Sequence, residues 1–324
     1  MINKKKCSEH RLQYFSISFF AAILGIAGFA LAIQKAEEAL QFSIKLSPYF
    51  IFASILMFAI VSTIYIIRFI KFPQEVKKEF NHPIKINFFP LISKIILIFS
   101  VIFLSINMNI SKYLWIVGAI LQFIFTITIL SAWIQHTKFD IQHLSPAWFI
   151  PIVGSVIVPI AGIQHGFTEI SWFFFSIGIV WWFLLFVIVM NRIIFHNPVP
   201  QKILPTFFIL FAPPAIAFIA LVKLVGEVTV FGRILFYISL FMFILILFQS
   251  NGFRKIKFYL SWWAYSFPTV AIFIATLLMY NMTKNVFFRI ISEIILIFLI
   301  SIMIYLTYRT IKAIKKRALC IYEE

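Results

Sequence analysis

Residues able to do acid–base, nucleophilic or metal chemistry are few in this chain, and their positions narrow the options quickly. Asp140 is the only aspartate and falls in a loop between long apolar stretches. Glu293 reads as the only acidic residue inside such a stretch. The histidines His10, His82, His136, His143, His165 and His196 all lie in or near loops, and Cys7 and Cys320 sit in opposite tails without metal-ligand spacing. Paired-aspartate catalysis, haem or metal ligation inside a helix bundle, and a carboxylate relay for protons are therefore poorly served. Neither a Gly-rich nucleotide loop nor a Thr-Val-Gly-Tyr-Gly filter occurs. No enzymatic activity, cofactor or metal is expected; proton coupling through a histidine or Glu293 stays open.

The chemistry that remains is that of a bent helix. The stretch Tyr259 to Thr276 follows a basic loop with an aromatic cluster suited to a membrane interface, then runs on as an apolar span to about Tyr280. Pro268 lies inside it, where it removes one backbone donor and frees a carbonyl about one turn earlier. Hydrocarbon tolerates such a break only where protein or a water-filled cavity meets the freed groups. This helix is thus expected to face an interior, with Phe267 at its weak point. Hydroxyls such as Ser266 and Thr269, with the positive ends of half-helices, offer partial positive charge to an anion. Lys94, about one and a half turns into its own span, either snorkels to the membrane surface or adds positive potential to an inner mouth. A pore built this way favours anions over cations.

The elements that must position these residues follow from composition. The chain has 324 residues, 62% of them hydrophobic and 12% charged, the pattern of a polytopic membrane protein. Ten helices are expected, near residues 15–34, 47–70, 88–106, 112–134, 146–163, 170–194, 204–222, 230–249, 259–280 and 286–308. This gives a tail over 1–14, one ten-helix domain over 15–308 and a second tail over 309–324, with a retained first span rather than a cleaved signal. With both termini inside, 20 of the 28 lysines and arginines fall on the cytoplasmic side, seven on the other, and Lys94 within a span. That bias accounts for the net charge of +17 without nucleic acid, and it leaves both cysteines reduced in the cytoplasm.

Helix breakers are unevenly shared. Helix 5 carries Pro146, Pro151 and Pro159, helix 7 carries Pro205, Pro213 and Pro214, and helix 9 carries Pro268. Helix 3 opens near Pro90 and helix 1 has Gly25 and Gly28, whereas helices 4, 6, 8 and 10 have no proline. The alternation suggests five hairpins, with kinked odd-numbered helices inside and straight even-numbered ones facing lipid.

The run Ser145-Pro146-Ala147-Trp148-Phe149-Ile150-Pro151-Ile152-Val153-Gly154 resembles the fifth helix of the tellurite-resistance/dicarboxylate transporter family. That family includes bacterial tellurite-resistance proteins, fungal malate and sulfite transporters, and the slow anion channels of plant guard cells. Similar segments are Tyr14 to Phe20 leading to Gly25 and Gly28, Phe80-Asn81-His82-Pro83 with Asn87-Phe88-Phe89, Ala212-Pro213-Pro214, and Trp262-Trp263-Ala264-Tyr265-Ser266-Phe267-Pro268. The resemblance implies an all-α integral membrane protein of ten helices. An inner ring of odd-numbered helices would surround a central pore, inside an outer ring of even-numbered ones, usually in a homotrimer with one pore per subunit. It implies that Phe267 plugs the pore and that Gly25, Gly28, Pro151, Pro213, Pro214 and Pro268 bend its lining. An anion channel in the plasma membrane is the leading expectation. A secondary transporter of C4-dicarboxylates, sulfite or tellurite, with or without protons, is the alternative.

Overall fold

A computed structural model describes residues 11–135, 139–249 and 257–316. Cys7, Cys320, His10, His136 and the loop or tail cations Lys4, Lys5, Lys6, Lys138, Arg254, Lys255 and Arg317 lie outside the described residues. The described chain is helical, with no strand among the described residues. Ten helices are long and apolar enough to cross a membrane. They are helix 1 (Ile17–Ala39), helix 2 (Ser47–Lys71), helix 3 (Lys85–Phe103), helix 4 (Met108–Gln135), helix 5 (Pro146–His165), helix 6 (Thr168–Phe195), helix 7 (Gln201–Val225), helix 8 (Val230–Phe248), helix 9 (Leu260–Thr283) and helix 10 (Val286–Lys315).

Odd and even helices differ in conformation as well as sequence. The even ones are unbroken α-helices. Every odd one begins as a 3-10 helix and changes to α partway along, at Phe20, Leu91, Ile150, Ala212 and Ser266 respectively. Prolines mark these changes: Pro90 caps its α segment, and Pro151, Pro213, Pro214 and Pro268 fall in the first turn of theirs. In a first turn the missing N–H costs no helical bond and the fixed φ suits the helix. Pro151, Pro213, Pro214 and Pro268, where bends were expected, therefore stand where 3-10 helix gives way to α. Pro159 alone among the helix 5 prolines lies inside an α segment. The 11-residue 3-10 run of helix 7 far exceeds the usual three or four residues.

Burial separates the two sets. In the most apolar window of helices 1, 3, 5, 7 and 9, 78, 83, 89, 83 and 83% of residues are buried, against 17, 33, 33, 39 and 33% for helices 2, 4, 6, 8 and 10. Helix 1 packs on helix 3, 3 on 5, 5 on 7, 7 on 9, and 9 back on 1. Each even helix packs beside the odd helix that precedes it, which makes five hairpins. The outward faces of the even helices carry exposed residues such as Phe52, Ile124, Phe183, Phe241 and Ile297, as expected for surfaces that meet lipid or another chain.

Both described chain ends lie on one side, the terminal face, where all five odd helices begin. A short helix, Pro73–Asn81, links helices 2 and 3 there. Its Glu79 is 5% exposed and pairs with the buried Arg68 of helix 2. The same carboxylate accepts from Ser16 Oγ at 2.8 Å, Ile17 N at 3.0 Å and Tyr65 Oη at 3.1 Å. Arg68 Nε in turn donates to the Gln13 carbonyl at 3.1 Å, so one ion pair ties the start of helix 1 to helix 2.

On the opposite face helix 1 runs to Ala39, beyond the expected end at residue 34. Glu37 and Glu38 thus belong to it, and Glu169 belongs to helix 6, so Glu293 is not the sole acidic residue within a span. The reason is local: Gln34, Lys35 and Glu37 are polar but, like Ala36, good helix formers, and they prolong the helix past its apolar window. Glu37 caps the start of helix 2 by accepting from Leu46 N at 2.6 Å, Ser47 N at 2.8 Å and Ser47 Oγ at 2.6 Å. Helix 10 likewise continues to Lys315, past the expected boundary at 308.

Candidate functional site

Where a 3-10 helix becomes α, carbonyls change partners, and at four of the five junctions a polar side chain meets them. Ser266 Oγ donates to the Trp263 carbonyl at 2.6 Å and Thr269 Oγ1 to the Tyr265 carbonyl at 2.7 Å. Ser93 Oγ donates to the Pro90 carbonyl at 2.8 Å in helix 3. For helices 5 and 7 the donors come from the outer set: Gln122 Nε2 of helix 4 reaches the Pro151 carbonyl at 2.7 Å, and Ser239 Oγ of helix 8 reaches the Phe211 carbonyl at 2.7 Å. Polar backbone at membrane depth is thereby satisfied by protein. Ser266 and Thr269 are fully buried, donate to carbonyls at the junction and border neither cavity described below.

The two glycines of helix 1 set how closely helix 9 approaches. The α-helix from Phe20 to Ala39 continues through both, and what they supply is room. A methyl at Gly25 would clash with Ser266 Oγ and lie 2.9 Å from Trp263 Cε3. One at Gly28 would lie 3.0 Å from Phe267 Cδ2 and 3.5 Å from both Val270 methyls. The break in helix 9 and the Phe267 ring therefore sit directly against the glycine face of helix 1. On the other side of the break, Trp262 and Trp263 fix helix 9 to its surroundings. The Trp263 indole donates to Thr310 Oγ1 at 3.0 Å, and the Arg309 guanidinium lies 5.5 Å from the Phe258, Trp262 and Tyr305 rings.

Two cavities open from the two faces. One, of about 620 Å³, lies toward the opposite face and is bordered by Leu31, Ile157, Ile216, Val270 and Ile274 in its apolar part. At its mouth stand Lys35, Lys223 and Lys284 with one carboxylate, Glu38. The second, of about 630 Å³, opens to the terminal face and narrows to Leu24, Leu91, Ile150, Val153 and Ala212. Its cations are Arg68, Lys78, Lys85, Lys94 and Lys202, and its carboxylates are Glu75 and Glu79. Phe267, 9% exposed, borders both cavities, and it is the one described residue that does.

The remaining sequence expectations fall as follows. Lys94 is 3% exposed and borders the terminal-face cavity. Pro268 borders that cavity too, and Pro151, Pro213 and Pro214 are buried at their junctions. His82 stands at the terminal-face mouth, where its Nδ1 accepts from Ile84 N at 3.1 Å and Lys85 N at 3.3 Å and so shapes the turn before helix 3. Burial and the neighbouring Lys85 hold its pKa below the usual histidine value. His143 forms a capping box with Asp140, and His165 Nε2 lies 2.9 Å from Ser111 Oγ. No cluster of three potential metal ligands exists among the described residues. Sequence reasoning missed the Arg68–Glu79 pair, Gln122 and the lysines around the two mouths. Gln122 carried a readable signal, being the one amide in the middle of its helix, away from Asn109 and Gln135 at the ends.

Comparison with known proteins agrees with this arrangement. Residues 14–311 match the SLAC1 family model, described as a voltage-dependent anion channel. The S-type anion channel SLAH2 of Arabidopsis thaliana is 31% identical over 274 residues, covering 82% of this chain and 53% of the relative. The guard cell S-type anion channel SLAC1 of the same plant is 26% identical, over 82% of this chain and 50% of its own length. An uncharacterized transporter, MJ0762, of Methanocaldococcus jannaschii is 27% identical, over 83% of this chain and 86% of its own. The chain thus spans about half the length of these plant relatives but most of the archaeal one. With the match running from helix 1 to helix 10, this multi-pass membrane protein belongs to the SLAC1 family of voltage-dependent anion channels, the grouping its helix motifs resemble.

Proposed function

We propose that the chain is a passive channel for small anions, each subunit conducting through its own path between the five odd helices, with Phe267 closing the path at its narrowest point. The observation that carries this is the position of Phe267 as the sole described residue common to the two cavities. Charge supports anions: lysines and arginines outnumber carboxylates around both mouths, which concentrates anions there. Phe267, the residue common to both cavities, is apolar, and neither cavity has a ring of acidic residues to hold a cation among the described residues. The lysine and arginine bias supports the terminal face as the inner one with both termini cytoplasmic, and placement in the plasma membrane is part of the same reading. Assembly as a homotrimer is part of the same reading, and the exposed apolar flanks of the even helices suit contact with neighbouring subunits as well as lipid.

Purified protein in planar bilayers tests the proposal by ion substitution. The reversal potential should follow the anion gradient and ignore the cation. A potential that follows potassium, or no current at all, contradicts it. A reversal potential that shifts with a proton gradient at fixed anion gradient would instead favour coupled transport of sulfite or a dicarboxylate. The carboxylates best placed by burial for such coupling, Glu37 and Glu79, are both held in structural hydrogen bonds.

A further inference from the structure

One charge beside Phe267 is left without an explanation by the rest of the site. Lys94 lies in the first turns of the α segment of helix 3, is 3% exposed, and borders the same cavity as Phe267. Its ammonium has neither a hydrogen bond nor a carboxylate partner among the described residues. The two carboxylates that border this cavity are committed elsewhere, Glu79 to Arg68, Tyr65 and the start of helix 1, and Glu75 to Lys78 at 2.8 Å. A buried cation without a counter-charge is costly, and an anion from outside the chain would offset that cost.

Leu91, Ile150 and Ala212, the first α residues of helices 3, 5 and 7, and Phe267, the second of helix 9, border the same cavity as Lys94. Four apolar side chains and one uncompensated ammonium therefore face a common space.

We infer that Lys94 is the coordinating residue of a discrete anion-binding site on the terminal-face side of Phe267, in which the bound anion supplies the counter-charge that the protein withholds. This deepens the anion-passage reading and rests on it for the purpose of the site, while the site itself rests on the burial and isolation of Lys94. One ammonium balances one negative charge. A doubly charged oxyanion would leave surplus charge against apolar walls, so bromide should bind in preference to sulfate.

The test uses bromide with the purified full chain. Anomalous scattering from bromide-soaked crystals should place an ion within roughly 4 Å of Lys94 Nζ. Lys94→Met removes the charge and keeps an apolar chain of similar length, so it should fold and elute as the native protein does. It should lose the bromide and raise the half-saturating chloride concentration of the current by about tenfold or more, whereas Lys94→Arg retains both. Bromide equally bound in the Met variant, or absent from Lys94 in the native protein, overturns the inference. So does an unchanged half-saturation in Lys94→Met, even if its melting temperature shifts, since that would mark a structural residue. The two readings fail separately: bromide at Lys94 without any current sinks the channel and spares the site, and normal current with no bromide there does the reverse.

Discussion

If Gly28 exists to seat the Phe267 ring, a single methyl group added there should disturb the seat and leave the fold standing. In Gly28→Ala the new carbon would lie 3.0 Å from Phe267 Cδ2, about half an ångström inside the roughly 3.5 Å at which carbons pack comfortably. Its contacts with Val270, at 3.5 Å, are already ordinary. The ring is the partner that can give, since it has open space on two sides. Overpacking typically costs about 1–3 kcal/mol, and here it falls at the low end. Replacing glycine by alanine in a helix returns up to about 1 kcal/mol, so net stability should change by about 1 kcal/mol or less. A ring pushed some 30° from its rotamer loses about 0.5–1.5 kcal/mol of its hold on the closed position. Each 1.4 kcal/mol is a factor of ten, so basal chloride efflux from liposomes should rise by about two- to tenfold. In a Phe267→Ala background the added methyl meets no ring, and the same substitution should change nothing further. An equal effect in both backgrounds, or none in either with the protein folded, would refute the contact as the cause.

Phe273 lies on the same helix, fully buried and outside both cavities. Phe273→Ala should therefore cost about 3–5 kcal/mol of stability, seen as a lower melting temperature, without raising anion flux in the protein that remains folded. Glu79→Gln leaves the buried Arg68 without its counter-charge and should cost about 3–5 kcal/mol, and pairing it with Arg68→Met should recover much of the loss in thermal melts. His82 titrates below its usual value in the fold because of burial and Lys85, so the unfolded chain takes up its proton first. Stability is then full above about pH 6.5 and is lost as the pH falls from there through the lower folded pKa. Melting temperature against pH should show that slope, and His82→Asn, which keeps an acceptor for the turn without titrating, should flatten it.

The more and less buried helix sets were legible because proline, apart from Pro48 at the start of helix 2, is confined to the odd-numbered helices, and burial follows that division. The 3-10 entries were not, since neither hydropathy nor proline position separates 3-10 from α-helix in an apolar run. For the same reason nothing in the sequence marked Pro151, Pro213, Pro214 and Pro268 as standing where 3-10 helix gives way to α. Ser266 and Thr269 could be placed beside the break, but whether a hydroxyl faces a passage or its own backbone depends on rotamers that sequence does not carry. Glu37 was hidden by a helix that outlasts its apolar stretch. Nothing marked Arg68 and Glu79 as a buried pair, because the chain that buries them arrives from residues 13–17, far away in sequence. Phe267 itself was legible only through the motif around it, in a chain with 42 phenylalanines.

The most direct measurement is single-channel or macroscopic anion current from Phe267→Ala in planar bilayers, with elution and melting temperature confirming the fold. If the proposed gate is right, removing the one described side chain that borders both cavities should join them and raise chloride current by about tenfold or more over the native protein. A well-folded variant with native current would contradict the account, because the path would then be closed somewhere else or not run between these helices at all.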